Sequence, residues 1–120
     1  ICYYVNDIYS IAELLTCHDE FVPIKIKDYI KYPKASGYRS YHMILNIPVY
    51  LSNSKQYAPV EIQIRTIAMD FWASLEHQLK YKTNNTVSKE LAEELRKCAD
   101  TISQTDEKMQ NIFNQLNEIE

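Results

Sequence analysis

Tyr41-His42-Met43-Ile44-Leu45-Asn46-Ile47-Pro48-Val49-Tyr50-Leu51, the polar run Ser52-Asn53-Ser54-Lys55-Gln56 and Tyr57-Ala58-Pro59-Val60-Glu61-Ile62-Gln63-Ile64-Arg65 carry the pattern that sets the fold. Side chains alternate across a strand, so Tyr41, Met43, Leu45, Ile47, Val49 and Leu51 form one apolar row, with His42 and Asn46 on the other side. In the later segment Val60, Ile62 and Ile64 alternate in the same way with Glu61, Gln63 and Arg65. The polar run between them predicts an antiparallel hairpin. A simple register sets His42 opposite Arg65 and Asn46 opposite Glu61. A slip of one residue would turn every side chain to the wrong face. Pro48 has no N–H for a ladder, so an edge or a bulge is expected there.

Working outward, Val22 to Asp28 also alternates, with Ile24 and Ile26 opposed to Lys25 and Lys27, which predicts a third strand with a basic face. Asn6 or Asp7 is suited to cap a helix over residues 7–18, in which Ile8, Ile11, Leu14 and Leu15 recur at helical spacing. Thr66 is suited to cap another over 67–82, with Phe71, Trp72, Leu75 and Leu79 on its apolar side. Beyond the polar break Thr83–Val87, a heptad seam runs through Leu91, Leu95, Cys98, Ile102, Thr105, Met109, Ile112, Leu116 and Ile119. Unbroken from Ser88 to Glu120, that helix would be on the order of 50 Å long, more than one small sheet covers. Part of it should meet another helix or another subunit. The fold class is therefore α+β, a mixed or antiparallel sheet flanked by helices with a long C-terminal helical segment.

With 120 residues, 46% of them hydrophobic, the chain encloses one modest core. A net charge of −3 and a pI near 5.6 exclude a global field that attracts DNA or RNA, so any anion must be met by a local basic patch. Three cysteines, Cys2, Cys17 and Cys98, are odd in number and widely spaced, which fits reduced, buried thiols in the cytoplasm. No apolar run reaches the length of a membrane span. Ile1-Cys2-Tyr3-Tyr4-Val5 reads as the interior of a buried strand, so a segment upstream of Ile1 is expected.

Gly37 is the one glycine, in a loop with Lys34, Ser36, Tyr38, Arg39 and Ser40 between two predicted strands. A chain with no other glycine is expected to need positive φ or a close backbone approach at this point. Its neighbours offer charge for phosphate, an aromatic face for a base, and hydroxyl donors. An ordinary Pro-Gly turn with an exposed tyrosine would leave the same trace. Glu61, Gln63 and Arg65 share a strand face at intervals of roughly 7 Å. A carboxylate beside an amide and a guanidinium suits Mg²⁺ binding or activation of a hydroxyl in phosphoryl transfer. With Lys25, Lys27, Lys34, Arg39 and His42 they make a sheet face equipped for polyphosphate. His18, His42 and His77 lack zinc-ligand spacing, and no GxGxxG or P-loop pattern occurs.

Asp28-Tyr29-Ile30-Lys31-Tyr32-Pro33-Lys34-Ala35-Ser36-Gly37-Tyr38-Arg39-Ser40-Tyr41-His42 resembles the guanine-nucleotide loop of RelA/SpoT synthetases, commonly D-Y-I-x-x-P-K-x-N-G-Y-x-S-x-H. Glu61-Ile62-Gln63-Ile64-Arg65-Thr66 is similar to their E-[IV]-Q-I-R-T strand, and Met69 through His77 with Tyr81-Lys82 to the helix that follows. The departures are Ser36 in place of Asn and Tyr41 in place of Leu. The resemblance covers residues 1–82 and implies a nucleotidyltransferase-like synthetase fold; residues 83–120 are then a helical extension for packing or for a homo-oligomer. Arg39 and the helical tail look like the short, stand-alone alarmone synthetases.

The resemblance implies a GTP pyrophosphokinase that makes (p)ppGpp from ATP and GDP or GTP. Tyr38 would stack on guanine, with Lys34, Ser36, Gly37, Arg39 and His42 around the nucleotide. Glu61 would bind Mg²⁺ or activate the ribose 3′-hydroxyl, ordered by Gln63 and Arg65, and Lys25 and Lys27 would neutralise phosphate charge. A D-x-x-G-x-R segment carrying the ATP-side residues would precede Ile1, so the isolated 120-residue chain is expected to be inactive. An adenine-nucleotide or tRNA acceptor, a non-catalytic guanine-nucleotide or assembly module, and regulation by (p)ppGpp all stay open at this level.

Overall fold

A computed structural model describes residues 1–119; Glu120 and the side chain of Ile119, the last member of the expected seam, lie outside the described residues. In chain order the elements are α1 (Val5–Thr16), β1 (Val22–Asp28), β2 (Tyr41–Tyr50), β3 (Lys55–Ile64), α2 (Ile67–Lys82) and α3 (Lys89–Ile119). The three strands form an antiparallel sheet in the order β1-β2-β3.

The hairpin register differs from the expected one by two residues, since His42 faces Gln63, Ile44 faces Glu61 and Asn46 faces Pro59. The cause is the turn, which spans residues 51–54, closed by the Leu51 N–H donating to the Ser54 carbonyl at 2.8 Å, so that β3 already starts at Lys55. An even shift preserves side-chain parity, and the polar face survives. In β1 the register shifts between Pro23 and Lys25, a bulge at Ile24. Pro23 pairs with Leu45, yet Lys25 pairs with Ile44 and Lys27 with His42, so the bulge is what turns both lysines onto the His42 face. The bulge thus sits in β1 and not at Pro48, where β2 has run past its last β1 partner and is flanked by β3 alone.

The opposite face of the sheet holds the core, in which Met43, Leu45 and Ile64 pack with Ile8 and Ala12 of α1 and with Cys2 and Met69. Val49, Leu51 and Ile24 lie outside it and are exposed, because α1 covers only the other end of the apolar row. The stretch read as a buried strand is not one. Only Cys2 is bridged, to Thr66, and α1 already starts at Val5. Neither Asn6 nor Asp7 caps that helix; the N-cap position is Tyr4, and the Asn6 N–H is instead satisfied by Gln110 Oε1 of α3 at 2.9 Å.

Thr66 caps α2, accepting from the Met69 N–H at 3.1 Å. The apolar side expected for α2 is only partly interior: Trp72 is buried and donates to the Leu95 carbonyl of α3 at 2.8 Å, while Phe71, Leu75 and Leu79 are exposed. On α3, about 46 Å long, the stripe that packs against the body is Ala99, Asp106 and Gln110. The heptad seam lies beside it and is mostly exposed, including Leu91, Cys98, Met109, Ile112 and Leu116. All three cysteines are free thiols, but only Cys2 is buried, since Cys17 follows the end of α1 and Cys98 sits on the uncovered side of α3. No helix among the described residues is long and apolar enough to cross a membrane.

Candidate functional site

The loop between β1 and β2 is fastened at both ends. Asp28 Oδ1 accepts from the Ile30 and Lys31 N–H groups at 2.9 Å each, and Tyr9 donates to Oδ2 at 2.8 Å. At the far end the Ser40 carbonyl accepts from Tyr29, and the buried Ser40 hydroxyl donates to the Ile64 carbonyl of β3 at 3.3 Å. Between them the Gly37 N–H donates to the Lys34 carbonyl and the Lys34 N–H to the Tyr38 carbonyl, with Ser36 Oγ accepting from the Tyr38 N–H at 3.4 Å. Gly37 meets both expectations for a lone glycine: φ is +97°, and a Cβ built there would stand 2.8 Å from Ala99 Cβ of α3.

From this loop Tyr38 reaches the polar sheet face and enters a ring of polar contacts centred on Arg65. One guanidinium nitrogen, Nη2, donates to the Tyr38 hydroxyl at 3.0 Å and also to Gln63 Oε1. Gln63 Nε2 donates onward to Glu61 Oε1 at 3.2 Å. The Tyr38 hydroxyl lies 3.0 Å from His42 Nε2. On its other side His42 Nδ1 lies 3.7 Å from Glu61 Oε1. Burial, aided by the charges of Lys34 and Arg65 and opposed by Glu61, pushes the His42 pKa below the ordinary value. Asp70, one turn into α2, pairs with Arg65 Nη1 at 3.5 Å.

The ring lies between two cavities of about 440 and 130 Å³. Tyr38 and Arg65 line the larger with Ala73, Ser74, Glu76 and His77 of α2. Lys25, Lys27, Tyr29, His42, Ile44 and Glu61 line the smaller. Lys34 stands over the rings of Tyr29 and Tyr38, 4.9 and 5.3 Å from their centroids. The structure thus gathers Lys25, Lys27, Lys34, Tyr38, His42, Glu61, Gln63 and Arg65 on one surface. Ser36 and Gly37 serve the loop's own geometry. Arg39 turns away from the cavities toward α3, donating to the Gly37 carbonyl and to Asp100 at 3.2 Å each.

Glu61 is the one carboxylate lining the smaller cavity, and its side chain is 55% exposed. Mg²⁺ keeps several waters and takes one or two carboxylates plus substrate phosphates, so this sparse donor set fits it. Sequence reasoning assigned no role to Tyr29, whose ring meets His42 edge-on at 5.1 Å, or to Ser74 and Glu76, and it weighed His77 only against zinc. Glu76 lies one turn beyond Trp72, which faces α3, so helical spacing did not mark it, and the α2 wall of this cavity follows from how the helices dock.

Residues 1–86 match the model of the region found in RelA/SpoT proteins. The chain belongs to the RelA/SpoT family. It is 51% identical over 112 residues to GTP pyrophosphokinase YwaC of Bacillus subtilis, covering 93% of this chain and 53% of that protein. To GTP pyrophosphokinase YjbM of the same organism it is 36% identical over 118 residues, covering 98% of this chain and 56% of that one. The chain thus spans about half the length of these curated relatives. Among solved structures, small alarmone synthetase 2 of Bacillus subtilis superposes with a TM-score of 0.92 at 50% identity, over 96% of this chain and 62% of that one. Small alarmone synthetase 1 of Bacillus subtilis, bound to its product pppGpp, gives 0.88 at 37% identity, over 95% and 59%. The same synthetase bound to AMPCPP gives 0.76 at 30% identity, over 98% and 57%. These matches establish the α+β synthetase architecture of the family, with α3 included.

Proposed function

We propose that the protein is a GTP pyrophosphokinase of the small alarmone synthetase type, which transfers pyrophosphate from ATP to the 3′-hydroxyl of GDP or GTP. The observation that carries this reading is the Arg65-centred ring, which joins a base-sized cavity bearing Tyr38 to a lysine-lined cavity bearing Glu61. In the reaction the ribose 3′-oxygen attacks the β-phosphorus of ATP. The bond from that phosphorus to the oxygen bridging the α- and β-phosphates breaks, and AMP leaves. The hydroxyl proton passes to the Glu61 carboxylate, which Gln63 holds in place.

Tyr38 stacks on guanine. Glu76, at the wall of the same cavity, presents acceptor oxygens that suit the N1–H and 2-amino edge of guanine and not the adenine edge. Lys25, Lys27 and Lys34 meet the phosphates, and His42 stands between Tyr38 and Glu61. Glu61 would hold Mg²⁺, which when bound neutralises charge on the reacting polyphosphate.

The relatives that carry the pyrophosphokinase name, and the solved synthetase holding pppGpp, support the same assignment. Free thiols at exposed Cys17 and Cys98 favour the cytoplasm. The uncovered row Leu91, Met109, Ile112 and Leu116 on α3 favours a homo-oligomer, for which sedimentation of the protein and of a Met109→Lys/Leu116→Lys variant is the test. For the activity, the full-length gene product is given ATP labelled on its γ-phosphate with GDP, GTP, AMP or tRNA in turn. Label is expected in GDP and GTP alone. Labelled AMP or tRNA would change the acceptor, and a folded protein that labels none of them would overturn the enzyme reading.

A further inference from the structure

Resting on that reading of the site, we infer that Asp100 of α3 is a positioning residue for the guanine-nucleotide loop. Its carboxylate is shared: Oδ2 accepts from Arg96 Nη1 at 2.9 Å, and Oδ1 accepts from Arg39 Nη2 at 3.2 Å. Arg39 in turn donates from Nη1 to the Gly37 carbonyl at 3.2 Å, one peptide from Tyr38. Arg96 is itself braced by Glu93, to which it donates from Nε at 3.0 Å. Charge therefore alternates from Glu93 to Arg96 to Asp100 to Arg39 and ends on the backbone of the loop.

Two further features make this a device for placement. The Arg39 side chain is 15% exposed, so its guanidinium is largely withdrawn from water and depends on the acceptors it has. Next to Asp100 on the helix, Ala99 leaves no room for a side chain at Gly37, and a void of only about 10 Å³ remains between loop and helix. Tyr38 is thus held from two sides, by Arg65 through its hydroxyl and by Asp100, via Arg39, through its backbone. A residue outside both cavities fixes where the stacking ring stands.

The test uses the full-length gene product, with fluorescent GDP titration and Michaelis constants for GDP and ATP measured separately. Asp100→Ala is expected to weaken GDP binding and raise its KM about five-fold, the size of one partly exposed charge-assisted contact. The KM for ATP should stay within about two-fold. Arg39→Ala, which breaks the same relay at its other end, should give the same split, and Arg39→Ala/Asp100→Ala should lose little more than either single variant. Should Asp100→Ala not fold, Asp100→Asn keeps the volume and removes the shared charge, and the same split at smaller size is expected. Unchanged GDP affinity in a folded variant, an equal rise in both KM values, or fully additive losses in the double variant would overturn the inference. Wild-type protein that fails to bind GDP would instead overturn the guanine reading of the site.

Discussion

Replacing Gly37 by Ala probes the loop–helix contact most directly. Holding an alanine at φ +97° is unfavourable by about 1–2 kcal/mol. The stiffer unfolded chain returns about half of that, leaving ~1 kcal/mol. The new methyl would stand 2.8 Å from Ala99 Cβ and 3.4 Å from Arg96 Cα, an overpacked contact that adds about 2 kcal/mol. The single variant should therefore lose about 3 kcal/mol. Ala99→Gly alone should lose about 2 kcal/mol, from helix propensity and one buried methyl. The double variant removes the clash and keeps the strain, so it too should lose about 3 kcal/mol, which leaves a coupling of about 2 kcal/mol. Urea unfolding followed by far-ultraviolet circular dichroism measures all three. Losses that add to within ~0.5 kcal/mol would show that loop and helix do not touch as described, and the positioning role of α3 would go with that contact.

Glu61→Gln should lower kcat by roughly 10²–10⁴-fold with GDP affinity within about two-fold; a loss confined to KM would contradict a role in the chemistry. His42, held neutral mainly by burial, makes the folded state refuse a proton that the unfolded chain accepts. Stability should accordingly fall as pH drops from ~6.5 through the lower folded pKa, and denaturation of His42→Gln across pH 5–7.5 should show a shallower slope. Asp106 is buried and accepts from Thr66 Oγ1 at 2.6 Å, so Asp106→Ala should destabilise by about 1–3 kcal/mol and Asp106→Asn by less. Burial raises the Asp106 pKa against the smaller opposing effect of Thr66. The folded state thus holds that proton longer, and wild type loses stability relative to Asp106→Asn as pH rises from ~4. Glu76→Gln should narrow the preference for GDP over ADP as acceptor, read from initial rates with each; an unchanged ratio would remove Glu76 from base recognition.

Alternation and capping chemistry are local, and what depends on them was legible. Thr66 announces α2 by its own side chain, and the polar face of Glu61, Gln63 and His42 follows from period two alone. The exact partners across the hairpin depend on turn length, which composition does not dictate, so the register moved by two while the faces stayed. The start of α1 was hidden because its cap comes from Gln110, more than a hundred residues away in the chain. The contact stripe of α3 escaped for a related reason. Asp106 and Gln110 are interior through hydrogen bonds, so a search for apolar repeats passes over them to the row that stays outside. At the site, residue types identified the sheet face and the loop, whereas the turn of Arg39 toward Asp100 and the α2 wall of the larger cavity arise only from how helices dock.

A guanidinium can only give hydrogen bonds, so one nitrogen, Arg65 Nη2, sets the direction of its bonds to both Tyr38 and Gln63. The Gln63 amide then has one sensible orientation, its oxygen toward Arg65 and its nitrogen toward Glu61. A lysine in place of Arg65 would keep the charge yet lose the planar fork that aims two hydrogens in different directions. Any tilt of Tyr38 thereby disturbs the same nitrogen that holds Gln63 and, through it, Glu61, so the two cavities are coupled through a single atom.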